Sequence, residues 1–169
     1  MNILKNFSYA ALAFVAIHTS RSITAESPII KVPQAEKDIF ITAAGQGDLV
    51  QVQKSLSCYP AIVDCLSTEK CVALKDVVRH ATYNDQEICI QIIDELLKAR
   101  ANINYPNKVG HTALMIASER GLDSIVTFLV KNGADILKKN KYGVSSWSLA
   151  SDESTKDAII KGFLEKKNQ

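Results

Sequence analysis

Five positions of this chain return in register. Asn107, Gly110, Thr112, Leu114 and Ala117 recur with identical spacing as Asn140, Gly143, Ser145, Trp147 and Ala150. A period this short constrains the fold strongly, because a unit of that size buries its apolar faces only by stacking on copies of itself. The better copy, NKVGHTALMIASERGLDSIVTFLVKNGADI from Asn107 to Ile136, shows how one unit is built. Gly110 lies in a polar turn, and Thr112 stands where a helix N-cap belongs. Leu114, Ile116 and Ala117 then place apolar side chains in a short helix. Gly121 breaks that helix. Leu122, Ile125, Val126, Leu129 and Val130 follow with the three-and-four spacing of one buried face, and Gly133 occupies the place of a helix-ending glycine.

The period extends in both directions. Upstream, Ala101-Asn102-Ile103 matches Ala134-Asp135-Ile136 and is preceded by Ile92, Ile93, Leu96 and Leu97. Downstream, the stripe Ile159, Ile160, Phe163 and Leu164 arrives one residue late. The segment DIFITAAGQGDLVQVQKSL, Asp38 to Leu56, carries Ala43, Ala44, Gly47, Leu49, Val52 and Leu56 in the places of an opening helix pair.

Together these residues resemble the ankyrin repeat. The resemblance implies an all-α repeat solenoid of about four helix-turn-helix repeats joined by β-hairpin loops, at residues 36–66, 69–104, 107–139 and 140–167. The chain departs from the family pattern where Thr-Pro-Leu-His usually opens the first helix and ties neighbouring repeats. It has Thr112-Ala113-Leu114-Met115 in the third repeat and Ser145-Ser146-Trp147-Ser148 in the fourth, so those ties lose their usual donors. The second repeat offers Asp76-Val77-Val78-Arg79-His80-Ala81, with about three extra residues before its second helix. Trp147, matched to Leu114, is expected to pack in the core. The closing run Leu164-Glu165-Lys166-Lys167-Asn168-Gln169 is expected to make the last helix a polar cap.

Residues 1–25 stand apart. Lys5 precedes the apolar run Tyr9 to Ile17, which is too short to span a bilayer and is sized for the core of a signal peptide; Ser20, Ser22 and Ala25 supply small residues near a cleavage site. A mitochondrial-type presequence is the competing reading, since Glu26 is the first acid and Arg21 and several serines precede it. Residues 26–35, ESPIIKVPQA, read as a linker kept extended by two prolines. Export to the periplasm or the outside is the expectation, with no membrane association once the leader is gone. A bacterial source is expected too, because eukaryotic arrays of this family are mostly intracellular. Removing the leader takes away Lys5 and Arg21 and no acid, which leaves the 18 acidic side chains matched by as many basic ones. That balance argues against nucleic acid as a partner. Lys138-Lys139-Asn140-Lys141 reads as a solvated turn.

All four cysteines follow the leader, where an exported chain would meet oxidising conditions. Three crowd into SCYPAIVDCLSTEKC, and a bridge within that insert would restrain a costly loop. Cys65 with Cys71, across Ser67 to Lys70, is the first choice, and Cys58 with Cys65 the next. Cys89 falls on the apolar face of a helix starting near Gln86 and is expected as a buried thiol. These spacings are poor for zinc, with His80 the nearest histidine, so neither metal nor cofactor is expected. No nucleophile motif or glycine-rich phosphate loop appears, and an enzyme is not expected. A thiol-disulfide redox role is a remote alternative without a Cys-x-x-Cys helix start.

Binding remains. In the family a concave surface of hairpin tips and first-helix faces grips a protein partner. Carried over residue by residue, the contact positions are Lys108, Val109, His111, Glu119 and Arg120, then Lys141, Tyr142, Val144, Asp152 and Glu153, with Gly45 and Gln46 from the first repeat. Tyr142 is the expected anchor, since an exposed aromatic supplies large contact area at low entropy cost. An exported, monomeric protein-binding module is the leading expectation, and a chaperone-like or stabilising periplasmic accessory the alternative.

Overall fold

The computed structural model describes residues 34–58 and 73–168, and these form eight helices in four pairs. They are α1 (Gln34–Gln46) with α2 (Leu49–Cys58), α3 (Ala73–His80) with α4 (Gln86–Lys98), α5 (Ala113–Glu119) with α6 (Asp123–Lys131), and α7 (Ser146–Leu149) with α8 (Glu153–Lys167). The leader, most of the cysteine-rich insert, Cys65 and Cys71 lie outside the described residues. α1 begins inside the stretch read as linker.

Local signals act where the sequence puts them. Thr112 accepts a hydrogen bond from the Met115 N–H at 3.3 Å, and one period on Ser145 accepts one from Ser148 at 3.4 Å. Each satisfies a donor that a helix start leaves unpaired. At the end of α6, Gly133 takes φ +95°, letting the N–H groups of Gly133 and Ala134 turn back to the carbonyls of Val130 and Leu129. One period earlier the same left-handed place is held by Arg100, at φ +68°, with Ala101 bonded back to Leu96. A side chain there costs on the order of 1 kcal/mol.

The expected hairpins are built by asparagine side chains rather than by strands. Asn107 Oδ1 accepts from the N–H groups of Val109 and His111, at 3.0 and 2.9 Å. Asn140 Oδ1 accepts from those of Tyr142 and Val144, both at 2.9 Å. Among the described residues strand pairing is limited to one isolated bridge, Lys139 with Ser145. The recurrence of asparagine is thus a recurrence of one turn.

The core runs continuously through the stack, from Phe40 and Val52 through Val78, Ile92 and Ile93 to Leu114, Ile125, Leu129 and Ile159. Met115, at the family's histidine position, is wholly buried. Neighbouring repeats are tied by other groups. Gln86 Oε1 accepts the Ser124 N–H at 3.2 Å, Thr127 donates to the Ala158 carbonyl at 3.2 Å, and Asp123 accepts from Ser154 at 2.6 Å and Thr155 at 2.8 Å.

Two expectations need correcting. Leu114 is 1% exposed because α7 packs on α5, but Trp147 belongs to the last pair and is 43% exposed. The matched position is core only where another repeat covers it. The last helix is not a polar cap either: beyond its polar end, α8 leaves Ile160, Phe163 and Leu164 on its outer surface.

α6 and α8 approach closely at Gly162, where a Cβ would lie 2.7 Å from the Thr127 carbonyl oxygen and 2.8 Å from Val130 Cβ. Gly162→Ala is therefore expected to destabilise the chain by about 1–3 kcal/mol, despite alanine's better helix propensity. Urea unfolding measures this, and an unchanged midpoint would show that the helices separate at no cost.

Candidate protein-binding surface

The third and fourth hairpins are fastened side by side. The Lys141 N–H donates to the Val109 carbonyl at 3.1 Å, and Asn140 Nδ2 donates to His111 Nε2 at 2.9 Å. This second bond fixes the acceptor nitrogen of His111 toward its neighbour. Gly110 permits the approach, since a Cβ there would meet the Lys141 N at 2.9 Å. Lys108, Val109, Lys141 and Tyr142 consequently share one surface, with His111 and Val144 partly covered beneath it. Tyr142 is 74% exposed.

The other four predicted contact residues of these two repeats follow the first helices: Glu119 and Arg120 at the end of α5, about 10 Å along it from the hairpin, and Asp152 and Glu153 at the start of α8. Arg120 is committed to the fold: its Nη1 donates to the Val78 carbonyl at 2.8 Å and to that of Arg79, satisfying the end of α3. Asp152 caps α8, and the hydrogen bonds it accepts from the Thr155 N–H and hydroxyl hold its carboxyl below the usual range. Glu153 pairs with Lys156 at 3.0 Å, and Glu119 is exposed. In the first repeat, Gln46 is exposed and Gly45 sits against the His80 ring, with a virtual Cβ 3.1 Å from Nδ1. Sequence reasoning missed Tyr83 and Leu137, both largely exposed. Tyr83 lies in the extra residues after Ala81, and that insertion was its available signal.

A sequence profile of ankyrin repeats in three copies matches residues 40–140. The chain belongs to the ankyrin-repeat family. It is 33% identical over 77 residues to the mouse (Mus musculus) fibronectin type 3 and ankyrin repeat domains 1 protein, covering 46% of this chain and 22% of that protein. It is 29% identical over 68 residues to palmitoyltransferase AKR1 of Lachancea kluyveri, covering 40% of this chain and 9% of that protein. The chain thus spans less than a quarter of either relative. Ankyrin repeats generally mediate contact between proteins and are typically without catalysis of their own.

Two cysteines of this ankyrin array lie among the described residues. Cys89 is buried in α4, and burial, then the Asp85 carboxylate 3.7 Å from its sulfur, push its thiol up to about 11. Such a thiol is protonated and inert at neutral pH. Cys58 is a free, exposed thiol at the end of α2. Among the described residues no cluster of three or more His, Cys, Asp or Glu is placed to hold a metal, and no helix is long and apolar enough to cross a membrane.

Lys75 is the exception to ordinary solvation. It is 2% exposed, its Nζ lacks a hydrogen-bond partner among the described residues, and the ammonium lies 4.9 Å from the centre of the Tyr105 ring. Burial lowers its pKa from 10.5 to about 8, against the opposing pull of Asp76. The folded state therefore disfavours the charged form. That penalty is complete below pH 8 and is relieved as pH rises from 8 to 10.5. Lys75→Met should raise stability by about 1–3 kcal/mol at neutral pH, with the gain over wild type shrinking across that interval. Thermal melts of both proteins between pH 7 and about 10 measure it, and an equal gain at every pH would refute the titration.

Proposed function

We propose that this chain is an exported protein-binding module that grips its partner through the paired hairpin tips around Tyr142. The fastening of the third and fourth hairpins carries the reading. Because Lys141 is bonded to Val109 and Asn140 to His111, Lys108, Val109, Lys141 and Tyr142 are ordered before a partner arrives. Binding through them loses little conformational entropy, and an exposed aromatic flanked by cations has the composition of an interface anchor. The family's general role supports contact with a protein. Export rests on the leader pattern of Met1 to Ala25, and the periplasm or the secreted fraction is where the partner is sought.

Capture of partners from the native source with wild type and with a Tyr142→Ala, Lys108→Ala variant tests the surface. The variant is expected to bind about tenfold more weakly or worse while melting like wild type, because both side chains are exposed. Retention of the same partners at equal affinity refutes the hairpin reading and favours non-specific shielding. Export is checked by the intact mass of protein from its native cell. Loss of about 22–25 residues is expected, and a chain still carrying Met1 or Asn2 would place the module inside the cell.

A further inference from the structure

The tips of the third and fourth hairpins are copies of one another down to their outward side chains. Asn107-Lys108-Val109-Gly110 returns as Asn140-Lys141-Tyr142-Gly143, and both asparagines close the same turn by accepting from the N–H groups two and four residues on. Each tip therefore presents a lysine followed by an apolar side chain, all four of them exposed. The charge around them has one sign. Asp and Glu are absent from residues 101–118 and 136–151, which hold both hairpins, α5 as far as Ser118 and all of α7, while the same stretches contain Lys108, Lys138, Lys139 and Lys141. The run Lys138 to Lys141 divides in its use: Lys138 donates to the Asn104 carbonyl at 2.8 Å, whereas Lys139 and Lys141 are exposed. Lys108, Lys139 and Lys141 form no ion pair among the described residues. Asp135, the acid just before the fourth hairpin, uses one carboxylate oxygen to accept from the N–H groups of Leu137 and Lys138. Other acids of these repeats, Glu119, Asp123, Asp152 and Glu153, gather around the end of α5 and the starts of α6 and α8.

We propose that the paired tips take an acidic segment of a partner protein, with carboxylates set against Lys108, Lys139 and Lys141 and an apolar side chain seated on Val109 and Tyr142. This rests on the hairpin reading above and adds the partner's chemistry to it. Charge complementarity selects the occupant. Lysines of one sign without a counter-charge among the described residues repel a basic segment and speed encounter with an acidic one. The apolar pair beside them selects a protein segment over other polyanions. Nucleic acid is held by cations spread along many phosphates, and three lysines on two neighbouring tips supply few such contacts. An acidic segment that carries one large apolar residue uses both halves of the repeated tip.

Panning the full chain with a library of random peptides about ten residues long, enough to cross both tips when extended, is the test. Enriched peptides should carry an excess of Asp and Glu over the input library around a large apolar residue. Their binding, followed by fluorescence anisotropy, should weaken about two- to fivefold for each of Lys108→Gln, Lys139→Gln and Lys141→Gln. It should also weaken several-fold as salt rises from about 0.05 to 0.5 M. The variants should melt like wild type, because the three side chains are exposed. Peptides without acidic excess that lose binding with Tyr142→Ala but not with the glutamines overturn the acidic partner and keep the hairpin reading. Acidic peptides whose binding ignores the glutamines overturn it as well. Peptides indifferent to Tyr142→Ala and to the glutamines alike, or no enrichment, overturn both readings. A single-stranded oligonucleotide of about ten nucleotides, or vesicles containing an acidic phospholipid, that displaces the peptides and binds at least as tightly overturns the choice of a protein segment.

Discussion

A helix pair of this size has one face it cannot bury by itself, and every other feature of the chain answers to that. Val126, Leu129 and Val130 are closed off because α8 lies against α6. Burying one such side chain is worth about 1.5–3 kcal/mol, so a neighbouring repeat contributes more than any hydrogen bond inside the pair. The smallness of Gly162, the hydroxyls gathered on Asp123 and the reach of Arg120 to the end of α3 all hold one pair against the next. Where no described repeat follows, the same class of residue faces outward.

That dependence explains what the sequence made legible. The third repeat could be read almost residue by residue, because Thr112, Gly121, Gly133 and Asn107 act on backbone within a few positions of themselves. Cys89 was equally readable, since its burial follows from the helical stripe it shares with Ile93 and Leu96. Trp147 and the outer face of α8 were misread because burial is a property of the neighbour, which periodicity does not report. The ties between repeats were illegible for a related reason. Gln86, Asn104, Asp123 and Arg120 reach partners a repeat away, and nothing local marks them as different from solvated polar residues.

The candidate surface divides along the same line. At the hairpin end, turn-forming asparagines spend their side-chain oxygens on backbone and leave Lys108, Lys141 and Tyr142 outward. At the opposite end, Arg120, Asp152 and Glu153 are engaged in satisfying helix termini or a neighbouring lysine. Residues equivalent by family position therefore differ in what remains available to a partner. Lys75, in α3, is buried against the Tyr105 ring without a described acceptor, and its burial opposes stability at neutral pH.

The polar ties that cross between repeats span a narrow range of sequence separation. Asn140 reaches back 29 residues to His111, Asp135 reaches 31 to Asn104, Lys138 reaches 34 to the Asn104 carbonyl, and Arg120 reaches 42 to Val78. None of these joins distant parts of the chain, so the described polypeptide is held as a zip rather than as a knot of crossing threads. Tension applied at its two ends would be resisted one seam at a time, and a seam that opened would have its partner stretches of sequence still close at hand to close again.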